Sequence, residues 1–203
     1  MRNFILAIFL ALTLSPKVHA ARIAFVGVAN SSEPHQPGNE YTAETGLGAG
    51  VLLEFRLLPL FGFELGALYA PRKFSHATLS PSDAKITYTA NMYQFPVLFR
   101  AHLGRTFSLG VGAYYAKAKG DLTVESVTNS GKSSQKATFA SQGLSDSDYG
   151  LASSVAISFR LLPLTYLLLD GRYLMGLKNN STVVGGDRKY NDMQLLAGLQ
   201  FGF

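Results

Sequence analysis

Residues 189–203 read KYNDMQLLAGLQFGF and separate into two faces at a period of two. Met193, Leu195, Ala197, Leu199, Phe201 and Phe203 fall on one face. Tyr190, Asp192, Gln194, Leu196, Gly198, Gln200 and Gly202 fall on the other. Such sustained alternation predicts a β-strand with one apolar side and one small or polar side. In a water-soluble domain the apolar side would face the core, so this strand alone does not say which side meets the surroundings. The rest of the chain decides it.

Seven earlier segments repeat the pattern: residues 22–30, 44–57, 61–74, 86–103, 107–117, 149–160 and 165–177. Long polar stretches follow the first, third, fifth and seventh strands, and short turns follow the second, fourth and sixth. The longest polar stretch, 118–148, is expected to hold at most a strand extension at 122–127 and no core. Alternating long and short connections are the pattern of external loops and periplasmic turns. Parity sorts by chemistry as well. One face of nearly every strand carries Leu, Val, Phe, Tyr or Ala, while the other carries Gly, Ser, Gln and the charged residues. A soluble barrel with a ligand cavity would show the reverse. The prediction is an all-β chain, an eight-stranded antiparallel up-and-down transmembrane β-barrel with its apolar face toward lipid.

Aromatic positions agree. Tyr69, Tyr115, Tyr149 and Tyr173 stand near the outer ends of their strands, and Phe55, Phe61, Phe99, Phe107, Phe159 and Phe203 near the inner ends. Both sets lie on the apolar face, as two membrane-interface girdles would. The nine residues from Phe107 to Tyr115 rise ~26 Å before tilt, which suits an apolar band ~25 Å tall.

The first twenty residues, MRNFILAIFLALTLSPKVHA, combine Arg2, an apolar run over 4–14 and small-residue spacing at Val18, His19 and Ala20. That predicts a signal peptide over 1–20, cleaved after Ala20, and a barrel domain over 21–203. The apolar run falls short of the ~20 residues of a spanning helix. Cleavage would leave 16 basic against 13 acidic residues, a mild basic bias with no block that suggests a nucleic-acid partner. Cysteine is absent, so no disulfide or lipidated cysteine is available and the sheet must hold itself.

Glu54, Arg56, Glu64, Arg100, Arg160, Asp170 and Arg172 all fall on the inward face. An eight-stranded barrel leaves room for side chains and a few waters, so an ion-pair network filling the lumen is favoured over a charged, solute-selecting pore. The hexapeptide FRLLPL occurs twice, at 55–60 and 159–164, placing Arg56 and Arg160 on the same face. His102 is expected to cap interior polar groups. No cluster has metal-ligand spacing and no cofactor is expected. Asn179 and Asn180 sit in N-x-S/T patterns and are read as turn residues. Gly46, Gly48 and Gly50 alternate along a strand and are read as making room for large residues opposite, not as a phosphate loop.

The chain resembles the small outer-membrane β-barrel family called PorT-like or outer-membrane β-barrel domain proteins, itself similar to barrels of the outer membrane protein A and X type. The resemblance rests on the Gly-alternating strand 46–56, FELGALY at 63–69, YQFPVLFR at 93–100, the hairpin 111–116, LDGRYLMGL at 169–177 and the closing QFGF. It implies the fold and a place in the cell outer membrane, among outer-membrane lipid and lipopolysaccharide. Phe201 and Phe203 would be the signal presented to the barrel-insertion machinery. Gln94 stands where an acidic residue is expected. The family shares no catalytic motif, so the chain is expected to be no enzyme. A structural or surface-interaction role follows, with external loops, chiefly 119–148, meeting an extracellular partner. Two alternatives stand beside it. A narrow solute pore is one. The other is a lipid A-modifying enzyme using His35 or His76 with Ser75, Ser80, Ser82 and Asp83, for which catalysis would need a base within reach of a hydroxyl.

Overall fold

The computed structural model describes residues 20–35, 41–78, 84–128, 131–183 and 186–202. Residues 1–19 of the expected signal peptide, Ser80, Ser82, Asp83 and Phe203 lie outside them. Twelve strands follow in order: β1 (Ala20–His35), β2 (Thr42–Arg56), β3 (Phe61–Tyr69), β4 (Arg72–Thr78), β5 (Ala84–Ala90), β6 (Met92–Leu103), β7 (Phe107–Ala118), β8 (Leu122–Thr128), β9 (Gly131–Ala137), β10 (Ser147–Leu162), β11 (Thr165–Gly176) and β12 (Lys189–Gly202).

Eight of them close a ring in the order β1-β12-β11-β10-β7-β6-β3-β2, and β1 pairs β2 to seal it. Every pairing is antiparallel. The C-terminal alternating stretch forms β12, held between β1 and β11 with Leu196 opposite Val28 and Asp170. Closure leaves the ring without a free edge, the one way a sheet can satisfy its backbone inside lipid.

The polar stretches hold more structure than their composition predicts. β4 and β5 extend the hairpin of β3 and β6 beyond the ring, and β8 and β9 add to them, so that β2-β4-β5-β8-β9 forms an outlying sheet. Their alternation is short, yet it is present: Phe74 and Tyr88 stack at 5.4 Å between centroids, and Tyr41 meets Phe74 edge-on at 5.7 Å. The expectation that 118–148 carries no core is corrected. Leu122 and Leu144 are buried with Met92, Leu98, Tyr114 and Leu174, and Phe139 packs against that cluster. The upper lumen supplies apolar partners that local sequence does not reveal.

Outward side chains form an apolar belt. Val111 is 60 % exposed, Val155 57 %, Leu195 60 % and Phe95 45 %, and a continuous patch of this kind marks a surface made for an apolar medium. The expected Tyr positions sit at one rim, with Tyr115 opposite Tyr149 and Tyr69 opposite Tyr93. Phe55, Phe61 and Phe99 sit at the other, with Phe63 between Phe55 and Phe99 and with Phe61 stacked on Phe99 at 5.5 Å.

The inward glycines of β2 meet backbone, a refinement of their expected role. A Cβ at Gly48 would overlap the carbonyl oxygen of Tyr69, and one at Gly46 that of Pro71. Here β2 changes partner, from Tyr69 opposite Ala49 to Lys73 opposite Glu44. The chain between β3 and β4 can cross so closely only over residues without side chains.

Candidate functional site

Strand parity delivers the ionisable side chains to the lumen, and neighbours in register decide whether they fit. Arg100 on β6 lies between Gly62 on β3 and Gly110 on β7. Arg172 on β11 is flanked by Ser154 and Gln194. The two glycines leave the space the Arg100 guanidinium needs, and Ser154 leaves room on one side of Arg172.

The middle tier is built from four charges. Arg100 Nη2 reaches Glu64 Oε2 at 2.7 Å and Asp170 Oδ2 at 2.5 Å. Arg172 Nη2 reaches Glu64 Oε1 at 2.8 Å and Asp170 Oδ2 at 2.7 Å. Ser154 donates to Asp170 Oδ1 at 2.9 Å, and Arg100 Nη1 donates to Ser108 Oγ at 3.2 Å. Two cations alternate with two anions, and all four side chains are buried. Charges taken out of water hold only when paired and hydrogen-bonded in this way.

Toward the short turns, Arg56 Nε donates to Glu54 Oε1 at 2.9 Å while its Nη2 lies 3.0 Å from His102 Nδ1. His102 Nε2 is 3.2 Å from the same Glu54 oxygen. Gln200 donates to Glu54 Oε2 at 3.4 Å and accepts from Arg22 Nη1 at 3.2 Å. Arg160 departs from the expected network: it is exposed and has no ion pair among the described residues. The pairing of β10 with β11 shifts register between Arg160 and Leu162, at the mouth, so parity no longer commits its side chain to the lumen.

The upper tier was missed at the level of sequence. Arg72 donates to Asp192 through Nε, 2.9 Å to Oδ2, and its Nη2 reaches Asp192 and Asp148 at 2.7 Å each. Tyr114 and Asn180 donate to Asp148 at 3.0 Å each, and the Arg72 guanidinium lies 4.7 Å from the Tyr190 ring centre. A signal existed: continuing the even parity of Gly62, Glu64 and Leu68 leads to Arg72, and stepping back from Gly150 leads to Asp148. Between the tiers, Gln194 donates to Gln94 Oε1 at 2.7 Å and to Asn30 Oδ1 at 3.1 Å. Gln94 thus does by amide bonding what the expected carboxylate would do by charge.

Above the upper rim, Glu44 bridges Lys85 at 2.7 Å and Lys73 at 3.1 Å. The hydrogen bond from Lys85, with Lys73 and Ser75 in support, holds the Glu44 carboxyl at about 2 against the burial that opposes its ionisation. His76 packs beside Tyr41 with 5.3 Å between ring centres. No group of three or more His, Cys, Asp or Glu that could hold a metal ion occurs among the described residues.

A closed eight-stranded ring with aliphatic residues outside, aromatic rims and ions within defines a transmembrane β-barrel of the outer-membrane class. Residues 18–182 match the family described as outer membrane protein beta-barrel domain, and the chain belongs to that family. It is similar to the outer membrane protein OprG from Pseudomonas aeruginosa, at 15% identity and a TM-score of 0.48, over 92% of this chain and 97% of that one. It is similar to Neisserial surface protein A at 12% identity and 0.47, over 91% and 99%. It is also similar to Ail, the attachment invasion locus protein of Yersinia pestis, in complex with the heparin analogue sucrose octasulfate, at 14% identity and 0.45, over 89% and 99%. No curated protein matches the sequence.

Proposed function

We propose that this outer-membrane barrel is a closed, non-enzymatic envelope protein. In this reading it is exported on a cleaved signal peptide over 1–20 and recognised by the insertion machinery through Phe201 and Phe203. Its tyrosine and phenylalanine rims seat it at the two interfaces, and its outlying sheet offers a contact surface. The observation that carries the reading is the filling of the lumen. Below the middle tier, the space lined by Arg22, Glu54, Glu64, Arg100 and His102 amounts to about 10 Å³. The space beside Arg72 under Leu122 and Leu144 is of the same size. Each is room for about one water, too little for a conducting path.

The contact surface is the sheet beyond the ring. β9 forms its free edge and its side chains are almost wholly exposed, with Lys132 and Lys136 among them. Lysines on an edge discourage indiscriminate strand pairing while leaving a basic face for a chosen partner or for the lipopolysaccharide phosphates.

Planar-bilayer recording of the purified barrel tests the closed lumen: a quiet baseline is expected, and steady unitary openings would overturn it. Mass spectra of lipid A from expressing and deleted cells test the absence of catalysis. Identical spectra are expected, and an acyl or phosphate change confined to expressing cells would overturn that part.

A further inference from the structure

The two FRLLPL copies converge on one place. Arg56 from the first and Arg160 from the second both line a cavity of about 410 Å³ at the periplasmic mouth, together with Arg22, Arg105, Thr106, Ser158, Leu164 and Tyr166. Four guanidiniums therefore open onto one space. Among the described residues no carboxylate lines it, and Glu54, the partner of Arg56, is also engaged by His102 and Gln200. Arg105 and Arg160 are exposed and have no ion pair among the described residues. Arg22 is buried, bonds a neutral amide at 3.2 Å and lies 4.5 Å from the Tyr166 ring centre, so no anion among the described residues neutralises it directly.

Arg22, Arg105 and Arg160 have no ion pair among the described residues and Arg56 shares Glu54 with His102, so positive charge is in excess around the cavity and its members repel one another. An anion bound in the cavity would relieve that repulsion. We propose that the periplasmic mouth is a binding site for a phosphate-bearing anion, held by Arg22, Arg56, Arg105 and Arg160. The planar fork of a guanidinium matches phosphate oxygens two at a time, and several forks around a pocket favour a multiply charged phosphate over a single carboxylate. Thr106, Ser158 and Tyr166 add hydroxyl donors at the wall. The volume lies at the small end of ligand pockets, enough for a phosphate or diphosphate group and too little for a long glycan.

The rim describes the surroundings of that anion. Leu57, Leu58, Leu60, Leu161, Leu162 and Leu164 are all exposed on the two FRLLPL turns. At the inner-leaflet boundary such leucines would lie against acyl chains while the arginines meet headgroups. The same chemistry serves a phospholipid headgroup or a free phosphate compound of the periplasm, and the experiment separates the two.

The folded mature barrel in zwitterionic detergent is titrated with pyrophosphate by calorimetry, alongside R105Q/R160Q. Both substituted residues are exposed, and the heat-dependent mobility of the variant checks its fold; Arg105→Gln alone replaces it if the pair disturbs insertion. Expected is saturable binding by the parent that weakens with added salt, and a loss of about tenfold or more in the double variant. Lys117→Gln, at the opposite end, should bind as the parent does. A parent that takes up no pyrophosphate, or a double variant that binds equally well, overturns the site. Native mass spectrometry from nanodiscs of phosphatidylcholine and phosphatidylglycerol then assigns the source. Phosphatidylglycerol retained by the parent and lost from the double variant identifies a headgroup site, and pyrophosphate bound without retained lipid identifies a soluble ligand.

Discussion

Arg100 shows what one side chain contributes. Its guanidinium joins Glu64 to Asp170 in a space where it is 1 % exposed. Arg100→Leu strands two buried carboxylates with Arg172 as their remaining cation, and losing one partner of such a group costs about 3–5 kcal/mol. The urea midpoint of the refolded barrel should fall accordingly, and an unchanged midpoint would mean that the tier is not structural. Gly48 is the backbone counterpart. Gly48→Ala sets a methyl group against the Tyr69 carbonyl, so β2 and β3 must separate, and a loss of about 1–3 kcal/mol is expected in the same assay. Parity made the lumenal placement of Glu54, Glu64, Arg100, Asp170 and Arg172 legible, because a strand allows a side chain only two directions. It did not make partners legible. Nothing in the spacing of Arg72, Asp148 and Asp192 says that three distant strands bring them within 2.7 Å, and Arg160 shows parity lapsing where register shifts.

Among the elements, the eight ring strands were readable because membrane thickness forces each to alternate over many residues. β4 and β5 were not separated from the ring strands 61–74 and 86–103, β8 was legible only as an extension at 122–127, and β9 was read as polar stretch, because each spans only seven residues and pairs mainly outside the belt, where either face can meet water. Their hold on the barrel is partly electrostatic. Glu44 lies on β2 five positions beyond Ala49, the partner of Tyr69, and ties β2 to Lys73 on β4 and Lys85 on β5. Its carboxyl sits at about 2 in the folded chain against ~4.3 in an unfolded one. A depressed acid stabilises above the unfolded value and loses that contribution as pH falls through the folded one. The outlying sheet should therefore loosen between about pH 4.5 and 2, while the ring stays closed. Near-ultraviolet dichroism of the stacked Phe74 and Tyr88 reports it. Glu44→Gln should weaken that signal already at neutral pH and flatten its dependence across the same window, and a parent-like acid transition in the variant would sink the assignment.

For the molecule as a whole, the decisive property is the inversion of inside and outside. Val111 tests it with a single residue. It lies four positions from Phe107 at the inner rim and four from Tyr115 at the outer rim, so it marks the middle of the belt, and it is 60 % exposed. On a protein in water, replacing so exposed a valine by arginine would change stability by about 0.5 kcal/mol or less. In the middle of a bilayer the same change must carry a guanidinium into hydrocarbon, at about 2–4 kcal/mol. The two environments predict effects differing several-fold at one position, with no change to the lumen. The measurement is reversible denaturation of parent, Val111→Leu and Val111→Arg barrels in phospholipid vesicles, read by the gel shift between folded and unfolded forms. Val111→Leu should fold like the parent, since it only exchanges one aliphatic surface for another against lipid. Val111→Arg should lose the larger amount, and moving the arginine outward to Tyr115 should reduce the loss toward about 0–1 kcal/mol, because charge is tolerated near the interface. A Val111→Arg barrel as stable as the parent would mean that water bathes this face, and the whole assignment of the apolar belt to lipid would fail with it.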